Sequence, residues 1–288
     1  MRNFPLTVFV LSGVKLPVRN VFLYWTVITE DDPPAEAASM TVARLGSDLR
    51  DEQSVEVTGS LIGEGFDCWG YLTGQFDSRI NVYRAMVPRT LVSRGGFYAV
   101  QPPAGFPGNT TFLDPFTPST SVSQLPAYNG ASLVVIGTGA SKVAVYEAPL
   151  SGASFTPNQF GLAYPMRVPP NTTWSRVFLH MINSDGQTTG GTFVGGAFEG
   201  VGTNEGIARE FTRINGTRFT GPRARYFDDD WNGESGGDHE LWDHNSYEIT
   251  EVMPEGTRRI TVQVRTDKSE HEGLDCLTPV ANAVEFRP

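Results

Sequence analysis

Residues 226–243, YFDDDWNGESGGDHELWD, gather seven carboxylates, one His, two Trp and three Gly into eighteen positions. Asp228, Asp230 and Asn232, followed by Gly233, spell the first half of a calcium-binding loop. Alternate positions around a tight glycine turn can point three oxygens inward, and calcium takes about six to eight. The helix–loop–helix form of that loop would need a glutamate at position 239, where His239 stands. A looser calcium site completed by Asp238, Glu240 or a backbone carbonyl stays open; the competing reading is a solvated acidic loop, the usual outcome for a charge run. Trp231 and Trp242 offer flat faces on which a sugar ring can stack. Paired acids near Trp also serve glycoside hydrolysis and cleavage of the glycan–Asn amide, provided a cleft holds the acids at a defined separation.

Other reactive residue types are sparse. His180, His239, His244 and His271 share no metal-ligand spacing with one another or with cysteine, which argues against a transition-metal enzyme. His180, in VFLHMIN, reads as a satisfied core residue, and His239 and His244 as surface loop positions. No G-x-S-x-G elbow occurs, and neither cysteine has a base nearby in sequence. Cys68 and Cys276 stand far apart, each after an Asp, and read either as two buried free thiols or as one long-range disulfide. GTGAS at 137–141 lacks the third glycine of a dinucleotide loop, and the KVAVYEA after it is too β-branched for the helix such a loop requires.

The elements that position these residues are short strands. Twelve segments rich in Val, Ile, Thr, Phe and Tyr are bounded by Gly, Pro, Asn or Asp, among them NVFLYWTVIT, INVYRAMV, ASLVVIG, SRVFLHMINS and SYEITEVM. In RRITVQVRT, Ile260, Val262 and Val264 alternate with polar neighbours, the pattern of a strand buried on one face. The helix candidates DPPAEAASM and LGSDLRDEQ are too short to build a layer. Strands without crossover helices form antiparallel sheets, so the expected fold is all-β, an antiparallel β-sandwich or jelly roll, in two jelly-roll-like halves. The expected organisation is an N-terminal arm or first strand over 1–17, one half over 18–148 and a second over 149–288. The Pro-, Thr- and Ser-rich stretch 101–126 reads as a long contact-making loop.

Charge narrows the partners. The chain of 288 residues carries 32 acidic against 22 basic residues, a formal charge of −10, and only Lys15, Lys142 and Lys268 are lysines. A phosphate backbone repels such a surface, so nucleic acid is not expected as a partner. No apolar run approaches the ~20 residues of a membrane span. MRNFPLTVFVLSGVKLP, interrupted by Pro5 and Thr7, has no recognisable cleaved signal peptide.

Several motifs occur in one order: VFLYWTV (21–27), VTGSLIGEGFDCWGY (57–71), VYRAMVPRTLVSRGGFYAV (82–100), NGASLVVI (129–136), LHMINSDGQ (179–187), LWDHNSYEIT (241–250) and DCLTPVANAV (275–284). Over roughly residues 18–286 this set resembles a family of uncharacterised bacterial exported, surface-associated β modules. The resemblance implies a β-sandwich, an extracellular or surface-exposed setting and a Cys68–Cys276 disulfide, both cysteines matching the family pattern. The chain departs from the pattern at Met86 and Pro88, which replace an acid and a hydroxyl residue, and in its missing export signal.

The function expected from these features is non-enzymatic: a surface-exposed β-sandwich for attachment or assembly, on a virion, particle or cell surface, with protein partners or further copies of itself. The alternatives are a glycan-binding module with Trp231 and Trp242 beside a Ca2+ site, and a double jelly-roll amidase or glycosidase with two acids facing across the interface of the halves.

Overall fold

The computed structural model describes residues 7–11, 17–29, 32–47, 51–66, 79–92, 95–103, 126–139, 141–147, 161–184, 192–194, 197–199, 209–219, 242–267 and 278–288. These residues form an antiparallel all-β fold, as expected, with two sandwiches stacked through their inner sheets.

The strands are β1 (Thr7–Leu11), β2 (Val18–Thr29), β3 (Ser39–Leu45), β4 (Asp51–Thr58), β5 (Ser60–Phe66), β6 (Arg79–Met86), β7 (Gly96–Gln101), β8 (Ala127–Gly137) and β9 (Lys142–Glu147), then β10 (Gly161–Arg167), β11 (Arg176–Ser184), β12 (Thr192–Val194), β13 (Ala197–Glu199), β14 (Arg209–Ile214), β15 (Thr217–Phe219), β16 (Trp242–Glu248), β17 (Arg259–Asp267) and β18 (Thr278–Arg287). The first half has an outer sheet β1-β7-β3-β4 and an inner sheet β5-β6-β2-β8. The second has an inner sheet β16-β11-β18-β9 and an outer sheet β10-β17-β14-β15, with β12-β13 a separate hairpin.

The helix candidate DPPAEAASM becomes one 3-10 turn, Ala35–Ala38, that runs straight into β3. Part of the second candidate, Asp51 to Gln53, lies in β4. The turn between β14 and β15 is Asn215–Gly216, both at positive φ (50° and 86°), the Asn-Gly hairpin that follows strand twist.

Strand β2 explains the stack. Val21, Leu23, Trp25 and Val27 pack into the first core with Met40, Val42, Tyr83, Tyr98 and Val100. Tyr24 and Ile28, on the opposite face, pack with Ile80, Val82, Ile182, Val280 and Ala281. A strand buried on both faces needs no polar alternation, which is why VFLYWTVIT is a nearly unbroken apolar run. Strand β17 has one buried face: Ile260, Val262 and Val264 join Tyr164, Met166, Leu179, Met181 and Phe286 in the second core. Each large side chain so enclosed contributes about 1.5–3 kcal/mol.

The chain crosses between halves after Gly137. Strand β8 pairs with β2 in the first inner sheet, and β9 pairs with β18 in the second. The sequence division at 148/149 had grouped β9 with the first half; its hydrogen bonds are to β18. Cys68, Cys276 and residues 104–125 of the stretch 101–126 lie outside the described residues, while Gln101 ends β7.

Candidate functional site: the seam and the outer edge

Two features join the halves to each other and to whatever lies outside: the seam between the inner sheets and the free margin of the first outer sheet. The seam is apolar in its middle, with Tyr24, Ile28, Ile80 and Val82 of the first half against Ile182, Val280 and Ala281 of the second. Polar groups flank this patch. Thr26 Oγ1 and Ser184 Oγ lie 3.3 Å apart, fully enclosed, so β2 and β11 share a side-chain hydrogen bond across the seam. Toward the rim, Arg84 of β6 donates to Glu147 of β9, an ion pair with base and acid from different halves. Beneath it the Tyr24 hydroxyl is buried without a hydrogen-bond partner among the described residues. Burial, then the nearby Glu147, pushes that phenol far above its ordinary value, so it stays protonated.

Beyond the seam, the face of β11 that carries Ile182 continues through His180, Phe178 and Arg176. Arg176 grips Glu248 with two hydrogen bonds, at 2.9 and 2.5 Å, and Arg287 donates to Glu285 at 2.7 Å. Both guanidinium groups sit over the Phe178 ring, at 4.8 and 4.1 Å from its centre. Their pairing covers Phe178 rather than presenting it for stacking on a sugar.

His180 is a half-buried cross-strand partner of Ser246, with Nδ1 and Oγ 2.8 Å apart, and not the core residue the sequence suggested. His244 is a strand residue, exposed, two places from Ser246 on β16. Burial first and His244 second hold His180 below the imidazole value of 6.5, opposed by Glu285 and reinforced by Arg287. Hydrogen bonds from Arg287 and Arg176 hold Glu285 and Glu248 below the carboxylate value of 4.5. All three shifts act in one direction. The unfolded chain binds protons more readily than the folded one below about pH 6.5 for the histidine, and below about pH 4.5 for the acids, so stability falls on acidification. A melting series is expected to lose Tm from near pH 6.5 downward, with His180→Gln removing the first part of that loss. A wild-type Tm unchanged between about pH 7 and pH 5 would contradict this.

The sequence-predicted site residues separate from these features. Asp228, Asp230, Trp231, Asn232, Asp238 and Glu240 lie outside the described residues. Trp242 begins β16, where its backbone pairs with Ser184. Among the described residues no three His, Cys, Asp or Glu converge on a metal-sized site, and no helix is long and apolar enough to cross a membrane. The seam residues Tyr24, Thr26, Arg84, Glu147 and Ser184 were missed. One sequence signal did mark them: Thr26 interrupts an apolar run too continuous for a strand with one wet face.

At the other margin, β1 is the outermost strand of the first outer sheet and pairs with β7 in five unbroken register steps, Thr7↔Val100 to Leu11↔Gly96. The segment read from sequence as an arm or first strand therefore contains a strand docked by main-chain hydrogen bonds.

No protein-family model matches the sequence, and comparison with curated proteins finds no match. Among solved structures, the chain is similar to PNGase F, a glycosylasparaginase from Flavobacterium meningosepticum, at a TM-score of 0.36 and 10% identity, over 99% of this chain and 90% of that one. It is also similar to the ANXUR2 extracellular domain from Arabidopsis thaliana, at a TM-score of 0.30 and 7% identity, over 99% and 82% of the two chains. Likenesses of this size transfer neither a reaction nor a site.

Proposed function

We propose that this protein is a non-enzymatic, surface-exposed attachment or assembly component that works through its N-terminal strand. The observation that carries this reading is the placement of β1: an edge strand of an outer sheet, added to β7 by main-chain pairing. Strand addition of this kind binds through backbone hydrogen bonds, and a strand that closes a sheet edge in its own chain can close the same edge in a neighbour. The seam supports the reading from the opposite side. At its rim the acid and base from different halves are paired with each other, leaving neither presented as an unpaired catalytic group.

The test is strand exchange. A chain lacking residues 1–17 is expected to bind a fluorescent synthetic peptide of residues 1–17, seen as a rise in anisotropy, and to regain thermal stability as it does. The full chain, its edge already closed by β1, is expected to bind the peptide far more weakly. No binding to the shortened chain, with its strands intact by circular dichroism, would remove the arm as a connector.

A surface setting carries a redox consequence. In an oxidising compartment Cys68 and Cys276 are expected to be joined, since β5 ends two residues before the first and β18 begins two residues after the second. Both strands reach the same end of the seam: Phe66 pairs with Arg79, next to Ile80, and Ile80 shares its cluster with Val280. Intact mass of the non-reduced protein is expected to be two hydrogens below that of the reduced chain. Ready alkylation of both thiols without reductant would show them free.

A further inference from the structure

The outward face of the second outer sheet is basic, in a chain whose formal charge is −10. On β17, Ile260, Val262 and Val264 turn inward, so Arg259, Thr261 and Gln263 turn outward. Register places Arg167 of β10 directly opposite Arg259. It places Arg213 of β14 opposite Gln263 on one side and opposite Arg218 of β15 on the other. Two arginine–arginine pairs therefore lie on one face of one sheet. Like charges directly opposite each other destabilise an antiparallel pair, and a local rule broken twice on one face marks a surface shaped for something other than stability. Arg167, Arg259 and the adjoining Arg258 are exposed, and Arg213 and Arg218 are half-buried. No hydrogen bond or ion pair engages the guanidinium groups of Arg167, Arg258 or Arg259. Lys142 brings a further cation to the turn after Arg167, where neutral oxygens hold it: Nζ donates to the Pro170 carbonyl at 3.2 Å and to Thr172 Oγ1 at 2.8 Å. Glu251 and Glu255, the acids of the segment that leads into β17, are exposed and pair with none of these cations.

We propose that this face binds the carboxylate or sulfate groups of an acidic polysaccharide. The surface is separate from β1 and gives the chain a second contact, one that stands even if the strand connector fails. Arginine supplies a flat fork of donors that grips a carboxylate or sulfate with two hydrogen bonds. Between the two arginine pairs β17 presents Thr261 and Gln263, neutral hydrogen-bonding side chains, and Arg259 and Gln263 stand about 13 Å apart along the strand. Beside them Ala163 and Pro165 are exposed and uncharged. A polymer that separates its anionic groups by neutral, hydroxyl-bearing rings matches that order. Nucleic acid, charged at every unit, would set its middle phosphates against Thr261 and Gln263 and the rest of its length against a chain at −10. An acidic peptide bound by strand addition would need an edge of this sheet, and both edges are poor templates: β10 carries Pro165, whose nitrogen cannot donate, and β15 has three residues.

The experiment measures binding of the immobilised full chain, near physiological salt, to hyaluronan, which carries a carboxylate on every second ring, and to dextran sulfate. Neutral dextran, duplex DNA and poly-glutamate are the comparison ligands. The variant combines Arg167→Gln with Arg259→Gln. The control combines Arg19→Gln with Arg89→Gln, which removes the same charge from exposed positions of the first half. One or both acidic polysaccharides are expected to bind and neutral dextran to be ignored, with Kd raised at least tenfold in the variant and less than twofold in the control. The variant should melt at or above the wild-type Tm, because it relieves a like-charge pair, so lost binding is not lost fold. If it unfolds nonetheless, Arg258→Gln, one residue before β17, is read in its place, with about a threefold loss expected and an unchanged Kd overturning the inference. Binding of dextran sulfate alone identifies sulfate as the group held, and of hyaluronan alone, carboxylate. No binding of either polysaccharide overturns the inference, as does an equal loss in the control. Tighter binding of DNA or poly-glutamate than of either polysaccharide gives the face to that class of partner and overturns it too.

Discussion

Gly59→Ala is expected to remove most of the stability of the first half. A β-carbon at Gly59 would lie 2.3 Å from Trp25 Cη2 and 2.8 Å from Cζ2, well inside van der Waals contact. Backbone strain is not the cause, because Gly59 is not in the left-handed region where glycine is favoured. The indole has nowhere to go. Its Nε1 donates to the Ala37 carbonyl at 2.9 Å, and its ring stacks on Tyr83 with centroids 5.4 Å apart and planes 13° apart. The Gly59 amide is itself pinned, donating to the Ala38 carbonyl at 2.7 Å. Overpacking of this kind costs about 1–3 kcal/mol and more where neighbours cannot yield, and loss of the buried indole hydrogen bond adds about 1 kcal/mol. Chemical denaturation should show a loss of about 3 kcal/mol or more, and Trp25→Phe should be less harmful in the Gly59→Ala background than in the wild type. If the two changes simply add, the indole is not what excludes the methyl group.

That pair also shows how far the sequence could be read. The strand NVFLYWTVIT is legible as β structure, and its nearly unbroken apolar run fits the burial on both faces that the structure shows. What it could not announce was which layer each face meets, because that depends on Ile182 and Val280, more than 150 residues away, arriving on the far side. A period of two assigns residues to a face and says nothing of what covers it. The same limit hid the Arg84–Glu147 clamp. Both residues look like ordinary polar positions in their own strands, and they become a pair only when β9 leaves β8 and joins β18. His180 shows the converse error: enrichment of apolar neighbours suggested a core position, while its phase places it with Phe178 and Ile182, on the face opposite Leu179 and Met181. The acid-rich segment at 226–241 stood out because density of charge is visible in sequence, whereas the seam shows no density, only complementarity across a gap.

Ile182→Asp should separate the unfolding of the halves. Ile182 lies in the apolar patch with Tyr24, Ile28, Ile80, Val82, Val280 and Ala281, and this patch, not the ion pair at the rim, is expected to hold the inner sheets together. A carboxylate there has no cation among those neighbours, and an uncompensated charge in an apolar contact costs several kcal/mol. Each sandwich keeps its own core, since the two clusters around Trp25 and Leu179 do not include Ile182. Wild-type calorimetry is therefore expected to show one cooperative transition, and Ile182→Asp two, with about 3–5 kcal/mol lost overall. Ile182→Val, which keeps the patch apolar, should cost only about 0.5–1.5 kcal/mol and retain a single transition. Arg84→Ala should be milder still, about 1 kcal/mol or less, because both members of its pair are roughly one third exposed (37% and 34%) and water screens them. The order of these three variants identifies what makes one body of the two sandwiches. Should Arg84→Ala split the transition while Ile182→Asp leaves it whole, the seam would be held by charge at its rim and the apolar patch would be filling rather than glue.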